Sequence, residues 1–341
     1  MTSRLESTLT RAWLRRGPLT LLLLPLALLF RLLAGLRRLL FRTGLKRAER
    51  LPVPVIVVGN IFIGGTGKTP LTIWLADSLR AAGLTPGVIS RGHGGQEGAA
   101  IEVTPHSDPR EVGDEPLLIA ARARCPVVVG RRRVEAGRAL LQAYPDVDVL
   151  IADDGLQHYA LARDVEIILF DGRGVGNGWL LPAGPLREPP SRRRDFTVVN
   201  APEITSDLAQ AVGGQPWRMR LAGDYAEPLQ GGQPAPLAQF RDRRVVAAAG
   251  IGNPGRFFTM LRAAGVTIGE LPLPDHHDFL DDPFSKVDAD VILITEKDAV
   301  KCRQIDHLKD DPRLWVVPVT AQLDLRLAEQ IVEKCRGRSL A

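Results

Sequence analysis

The run Val55–Pro70, VIVVGNIFIGGTGKTP, constrains the fold more than any other part of this chain. Val55–Val58 are four consecutive apolar β-formers, the pattern of a strand covered on both faces within a parallel sheet. Glycines follow and end in Gly67-Lys68-Thr69, which opens an amphipathic helix bearing Leu71, Trp74, Leu75 and Leu79. Strand, glycine-rich loop and helix in that order bring backbone N–H groups and a helix N-terminus around a phosphate. Lys68 can then reach the β- and γ-phosphates, and the Thr69 hydroxyl is placed for Mg²⁺. The expected nucleotide contacts are Ile61, Phe62, Ile63, Gly64, Gly65, Thr66, Gly67, Lys68 and Thr69. One position departs from the strict G-x-x-x-x-G-K-[ST] pattern: Phe62 stands where its first glycine belongs.

Apolar segments at 87–90, 126–129, 147–152, 165–170 and 196–200 predict further strands, and helical segments alternate with them. That alternation predicts an α/β fold, a P-loop NTPase-like doubly wound parallel sheet with its chemistry at the carboxyl ends of the strands. Residues 201–240 are rich in Gly, Pro and Gln and lack periodicity; strands then resume at 245–249 and 291–294. The expected organisation is an N-terminal region over 1–50 and a P-loop domain over 51–205. A linker or small β-element follows over 206–240, then a smaller α/β domain over 241–341 whose last helix can pack back on the first domain. Cys125, Cys302 and Cys335 show no C-x-x-C spacing, which argues against a disulfide framework or a cysteine zinc site.

Net positive charge is confined to one end. Residues 1–50 hold 11 Arg and Lys against Glu6 and Glu49, a net of +9, while the whole chain is +5, so the remainder carries −4. A nucleic-acid-binding domain would spread positive charge over a folded face, so nucleic acid is not an expected partner. The basic segment is also leucine-rich over Leu19–Phe30, twelve residues against the ~20 that span a bilayer. Arg31, Arg38 and Arg42 then fall on one helical stripe among Leu32, Leu33, Leu36, Leu39, Leu40 and Phe41. This pattern predicts a membrane-associating helix at the headgroup boundary, with the membrane surface as partner. A core or partner-binding helix and a full span are the competing readings, and no small-residue cleavage site supports a signal peptide.

Carboxylates gather at the strand ends. Asp153-Asp154 closes the apolar strand VDVLIAD in the form of a Mg²⁺-holding element opposite the P-loop, with Gln157 and His158 within one turn. Gly113-Asp114-Glu115-Pro116 reads equally as the carboxylate that accepts a hydroxyl proton or as a helix N-cap with Pro just inside. Asp275-His276-His277-Asp278 is contiguous, so its side chains cannot all aim inward; a catalytic Asp–His pair fits better than a two-histidine metal site.

Seven runs together resemble the tetraacyldisaccharide 4′-kinase family: VGNIFIGGTGKTP (58–70), SRGHGG (90–95), GDEP (113–116), DDGLQH (153–158), LPAGPLREP (181–189), DHHDF (275–279) and TEKDAVKC (295–302). The family also lacks the first P-loop glycine, and His93 stands where it usually carries Tyr. The resemblance implies ATP- and Mg²⁺-dependent phosphorylation of the 4′-hydroxyl of a tetraacylated glucosamine disaccharide 1-phosphate, giving lipid IVA. The expected location is the cytoplasmic face of the inner membrane. It further implies Asp114 as general base paired with His276, beside Asp275, and Lys68 on the phosphates. Thr69, Asp153, Asp154, Gln157, His158 and Glu188 are implied around the metal. Two other classes compete. A partitioning-type ATPase would carry a lysine near 62–63, where Phe62-Ile63 stand, and a GTPase would need an N-K-x-D motif, which the chain lacks.

Overall fold

The computed structural model describes residues 9–92 and 100–337; His93 lies outside them. A nine-stranded sheet is built from β1 (Val55–Gly59), β2 (Pro86–Ser90), β3 (Ile101–Glu102), β4 (Val127–Val129), β5 (Val149–Asp153), β6 (Val165–Asp171), β7 (Phe196–Asn200), β8 (Trp217–Ala222) and β15 (Thr320–Gln322). Its order is β15-β8-β7-β6-β1-β5-β2-β4-β3, parallel except at the two edge strands. β1 is central, as its sequence demands. Ile56 and Val58 enter one core with Leu71, Leu75 and Leu79 of the helix Lys68–Ala81, while Val55 and Val57 enter the opposite core with Val134 and Leu140. Because β1 lies between β5 and β6, and β2 lies beyond β5, the strand order reverses beside β1. A crevice opens at such a switch point. The register Val58↔Asp153 puts the glycine loop and Asp153-Asp154 side by side at its mouth.

The second sheet comprises β9 (Tyr225–Pro228), β10 (Ala235–Pro236), β11 (Val245–Ala249), β12 (Ile268–Pro272), β13 (Val291–Thr295) and β14 (Leu314–Val317), in the order β10-β9-β14-β13-β11-β12. The stretch 206–240 therefore contains the helix Ser206–Val212, a strand of the first sheet and two of the second. After β14 the chain returns. β15 pairs with β8, and the helix Leu325–Arg336 buries Leu327, Ile331, Val332 and Cys335 in the first domain's core.

The N-terminal leucines form the helices Pro18–Leu22 and Leu24–Arg42. Among the described residues no helix is long and apolar enough to cross a membrane. Leu22, Leu28, Leu29, Leu32, Leu33 and Leu36 are each more than half exposed, whereas Phe30 packs on the first domain. Trp13 Nε1 donates to the Pro182 carbonyl at 2.9 Å, and Asn177 N to the Trp13 carbonyl at 2.8 Å, so the segment is fastened to the 177–182 loop.

Candidate active site

Asn60 sets the shape of the glycine loop. Its Nδ2 donates to the Phe62 carbonyl at 2.6 Å and to the Gly64 carbonyl at 3.1 Å, while Asn200 Nδ2 holds the Thr66 carbonyl at 2.9 Å. Gly67 takes a φ of 101°, and a Cβ there would sit 2.7 Å from Asn200 Nδ2, so only glycine fits. Phe62, in the place of the missing glycine, is buried under the Arg173 guanidinium, 4.2 Å from its ring centroid. The loop therefore needs no glycine at 62: the Asn60 side chain, rather than backbone freedom there, closes it.

Lys68 Nζ approaches Asn60 Oδ1 at 3.4 Å and Asp154 Oδ1 at 3.9 Å. Asp153 accepts from Thr72 Oγ1 at 3.1 Å and Ser90 Oγ at 3.2 Å, while Asp154 faces Arg187 at 3.4 Å. Asp154 adopts a φ of 47°, a conformation that non-glycine residues seldom hold. Burial pushes Asp153 up to about 6, and the negative charges of Glu115 and Asp154 add to it. A pocket so oversupplied with carboxylate fits a hard divalent cation with oxygen ligands. Thr69, half of the expected cation set with Asp153 and Asp154, sits in the first turn of the P-loop helix.

Two of the expected metal neighbours, Glu188 and Gln157, also bond to each other. Glu188 is buried, and its carboxylate accepts from Gln157 Nε2 at 3.0 Å, Tyr159 Oη at 2.8 Å and Arg192, with Arg38 of the N-terminal helix at 3.5 Å. Gln157 gives only its Nε2 to Glu188, so its Oε1 still offers a ligand atom. His158 is driven down to about 4 by burial and by the cations Arg133, Arg91 and Arg37, so it is neutral at physiological pH. Two arginines of the basic runs 131–133 and 192–194 are also buried. Arg133 is 2% exposed, with Nη1 donating to the Gly130 carbonyl; its Nε and Nη2 are buried without a hydrogen-bond partner among the described residues. Arg192 is buried between Glu188 and Glu166.

The second domain completes the site. Gly113, with a φ of 91°, turns the chain into the helix Asp114–Ala123, so Asp114 is its first residue and not its cap. Asp114 Oδ2 lies 3.1 Å from His276 Nδ1 and 3.3 Å from Lys301 Nζ, both contributed by the second domain. Burial pulls Asp114 upward, but His276 and Lys301 outweigh it and hold the carboxyl below its usual range. Asp275 Oδ1 lies 4.0 Å from His276 Nε2 and 3.6 Å from Lys297 Nζ. A Cβ on Gly252 would come within 3.3 Å of Gly65 N, so the loop after β11 lies directly on the glycine loop. Arg256 reaches Asp171 at 2.9 Å and Arg122 pairs with Glu296 at 3.3 Å across the same junction.

Sequence reasoning missed Asn60, Thr72, Ser90, Arg187, Lys297 and Lys301. All but Thr72 lie within the seven runs quoted above, and the lysines carried a further signal, their i, i+4 spacing within TEKDAVKC. Among the described residues His277, Asp278 and Asp281 also lie close together, largely exposed, and away from these contacts.

The family model described as "Tetraacyldisaccharide-1-P 4'-kinase" matches residues 19–336. The chain is 60% identical to the tetraacyldisaccharide 4′-kinase of Herminiimonas arsenicoxydans, covering 99% of this chain and 98% of that one. It is 62% identical to the protein of the same name from Janthinobacterium sp. (strain Marseille), covering 99% of each. The crystal structure of the "apo" form of LpxK from Aquifex aeolicus in complex with ATP superposes with a TM-score of 0.76 at 29% identity, covering 93% of this chain and 99% of that one. A glycine loop after a central strand, facing an Asp–His pair assembled across two domains, thus accompanies sequence similarity along the whole chain, and the chain belongs to the tetraacyldisaccharide-1-P 4′-kinase family.

Proposed function

We propose that this chain transfers the γ-phosphoryl group of ATP, held with Mg²⁺, to the 4′-hydroxyl of a tetraacylated glucosamine disaccharide 1-phosphate. The observation that carries this reading is that Lys68 and Lys297 both act on Glu115, the chain neighbour of Asp114, which pairs with His276 across the domain junction. Asp114 accepts the hydroxyl proton, and the oxygen bonds to the γ-phosphorus. The β–γ bridging P–O bond breaks, and ADP leaves. Lys68 and the loop N–H groups hold the phosphates as charge moves toward the leaving oxygen. Thr69, Asp153 and Asp154 would hold the cation, which supplies charge neutralisation on the β- and γ-oxygens. Glu188, Gln157 and His158 would stay near the metal, and Glu188 also orders Gln157, Tyr159 and Arg38. The buried, unpartnered N–H groups of Arg133 beside neutral His158 suit an anionic part of the acceptor.

The acceptor's acyl chains account for the N-terminal helices, which we place on the cytoplasmic face of the inner membrane. A groove lined by Arg31, Arg38, Arg42, Leu180 and Pro189 borders the exposed leucines, and its Arg38 pairs with Glu188. The triple variant Leu29→Asp, Leu32→Asp, Leu36→Asp is expected to weaken sedimentation with anionic vesicles by at least ~10²-fold, since each leucine loses roughly 1.5–3 kcal/mol of apolar burial. ATP affinity should stay the same, because these residues lie outside the glycine loop.

The reading is tested by incubating the protein with γ-³²P-ATP and tetraacyldisaccharide 1-phosphate in detergent micelles. Labelled lipid is the expected product. ATP hydrolysis without lipid labelling would overturn it.

A further inference from the structure

The helix Glu296–Cys302 carries Lys297 and Lys301 one turn apart, and both cross to the first domain. Lys301 Nζ lies 3.3 Å from Asp114 Oδ2, and Lys297 Nζ lies 3.3 Å from Glu115 Oε1. Lysines at i and i+4 thus meet two consecutive carboxylates. A buried ammonium is costly unless it is paired, and Lys301 is only 9% exposed. Its seat is built. The ammonium lies over the Phe279 ring, 5.4 Å from the centroid, and fully buried Phe279 holds a φ of 63° there. An aromatic residue seldom takes that conformation, and such strain persists only where surrounding structure enforces it. DHHDF and TEKDAVKC therefore meet at one point, the ammonium between Phe279 and Asp114.

We propose that Lys301 is a positioning residue for phosphoryl transfer: seated on Phe279, it holds the Asp114 carboxylate ionised and aimed at His276, and does so only while the two domains are in contact. The inference rests on Asp114 being the base. The charged groups around that carboxylate are His276 from the loop after β12, Lys301 and Lys297 from the helix after β13, and Glu115 beside it on its own helix. Glu115 is itself matched by Lys68 and Lys297, which leaves Lys301 as the cation in direct contact with Asp114. Removing it takes away one of the cations that hold Asp114 down, so the Asp114 carboxylate takes up its proton at higher pH.

The test is kcat against pH for lipid phosphorylation at saturating ATP, in wild type, Lys301→Met, Lys301→Gln and Lys301→Arg, with melting temperatures recorded beside it. In the Met and Gln variants the acid limb should move up by about one pH unit, with kcat below it reduced ~10-fold and the KM for ATP unchanged. Lys301→Gln keeps the length and one donor, so it reports if Lys301→Met does not fold. Lys301→Arg should bring the limb back toward wild type. A limb that stays in place in Met or Gln overturns the proposal, and so does an equal loss in all three variants without a limb shift. Asp114→Asn measured alongside separates the readings: undiminished transfer there removes the base itself, whereas its loss with unmoved limbs in the lysine variants removes only the role of Lys301.

Discussion

Asp114→Asn is expected to lower kcat for lipid phosphorylation by about 10²–10⁴-fold, the range that a positioned general base supplies. The amide keeps the shape of the carboxylate but cannot take a proton. Its neighbours make the loss specific. His276 at 3.1 Å and Lys301 at 3.3 Å share one oxygen of Asp114, and both stabilise its ionised form. Asp114 is therefore ionised and ready to accept a proton at neutral pH, and activity should fall only as pH drops through its lowered range, below that of an ordinary carboxylate. Among the described residues no hydrogen bond or ion pair joins Asp114 to the glycine loop, so the KM for ATP should change little, and steady-state kinetics with both substrates varied would separate the two parameters. A rise in the KM for ATP without a drop in kcat would place Asp114 at the nucleotide instead.

Lys68→Met should be nearly as damaging, costing on the order of 10²–10³-fold in kcat/KM for ATP. The lysine's ammonium is 3.4 Å from Asn60 Oδ1 and 3.9 Å from Asp154 Oδ1, so its position is fixed in advance by the loop that holds the phosphates. A preorganised charge of this kind needs no rearrangement as the γ-phosphoryl group moves. Methionine matches the stem in length and leaves packing almost untouched, but Asp154 loses one of its cations and keeps Arg187, at 3.4 Å, with Arg133 farther off. The measurement is ATP binding by fluorescence titration together with turnover. Wild-type values for both in Lys68→Met would exclude the lysine from the reaction.

Local patterning made the first sheet legible. Four β-formers in a row, followed by glycines and an amphipathic helix, admit one arrangement, and β1 indeed buries alternate residues in the two opposing cores. The Asp153-Asp154 pair was legible for the same reason, since it ends an apolar strand that pairs with β1. The return of the chain to the first sheet was harder to read. β15 has three residues with little apolar character, and only its antiparallel pairing with β8 defines it. Arginine burial was illegible by residue type. Arg132 and Arg133 are adjacent in sequence, yet Arg132 is an exposed partner of Glu135 and Arg133 lies inside the protein. The domain junction is likewise made of single long-range contacts, such as Arg256 with Asp171, that leave no periodic trace in sequence. Glu188 was named as a metal neighbour by resemblance alone, and its contacts with Gln157, Tyr159, Arg192 and Arg38 left no trace in sequence.

The central claim is that two domains contribute halves of one base, and a double-mutant cycle on Asp114 and His276 addresses it most directly. Asp114→Asn, His276→Ala and the double variant would be compared by kcat for transfer of labelled phosphate to the acceptor lipid. If the pair acts as a unit, the double variant is no slower than the slower single variant, because either change already disables both residues. Losses that multiply, with the double variant slower by the product of the two single effects, would mean that Asp114 and His276 act independently and would contradict the account.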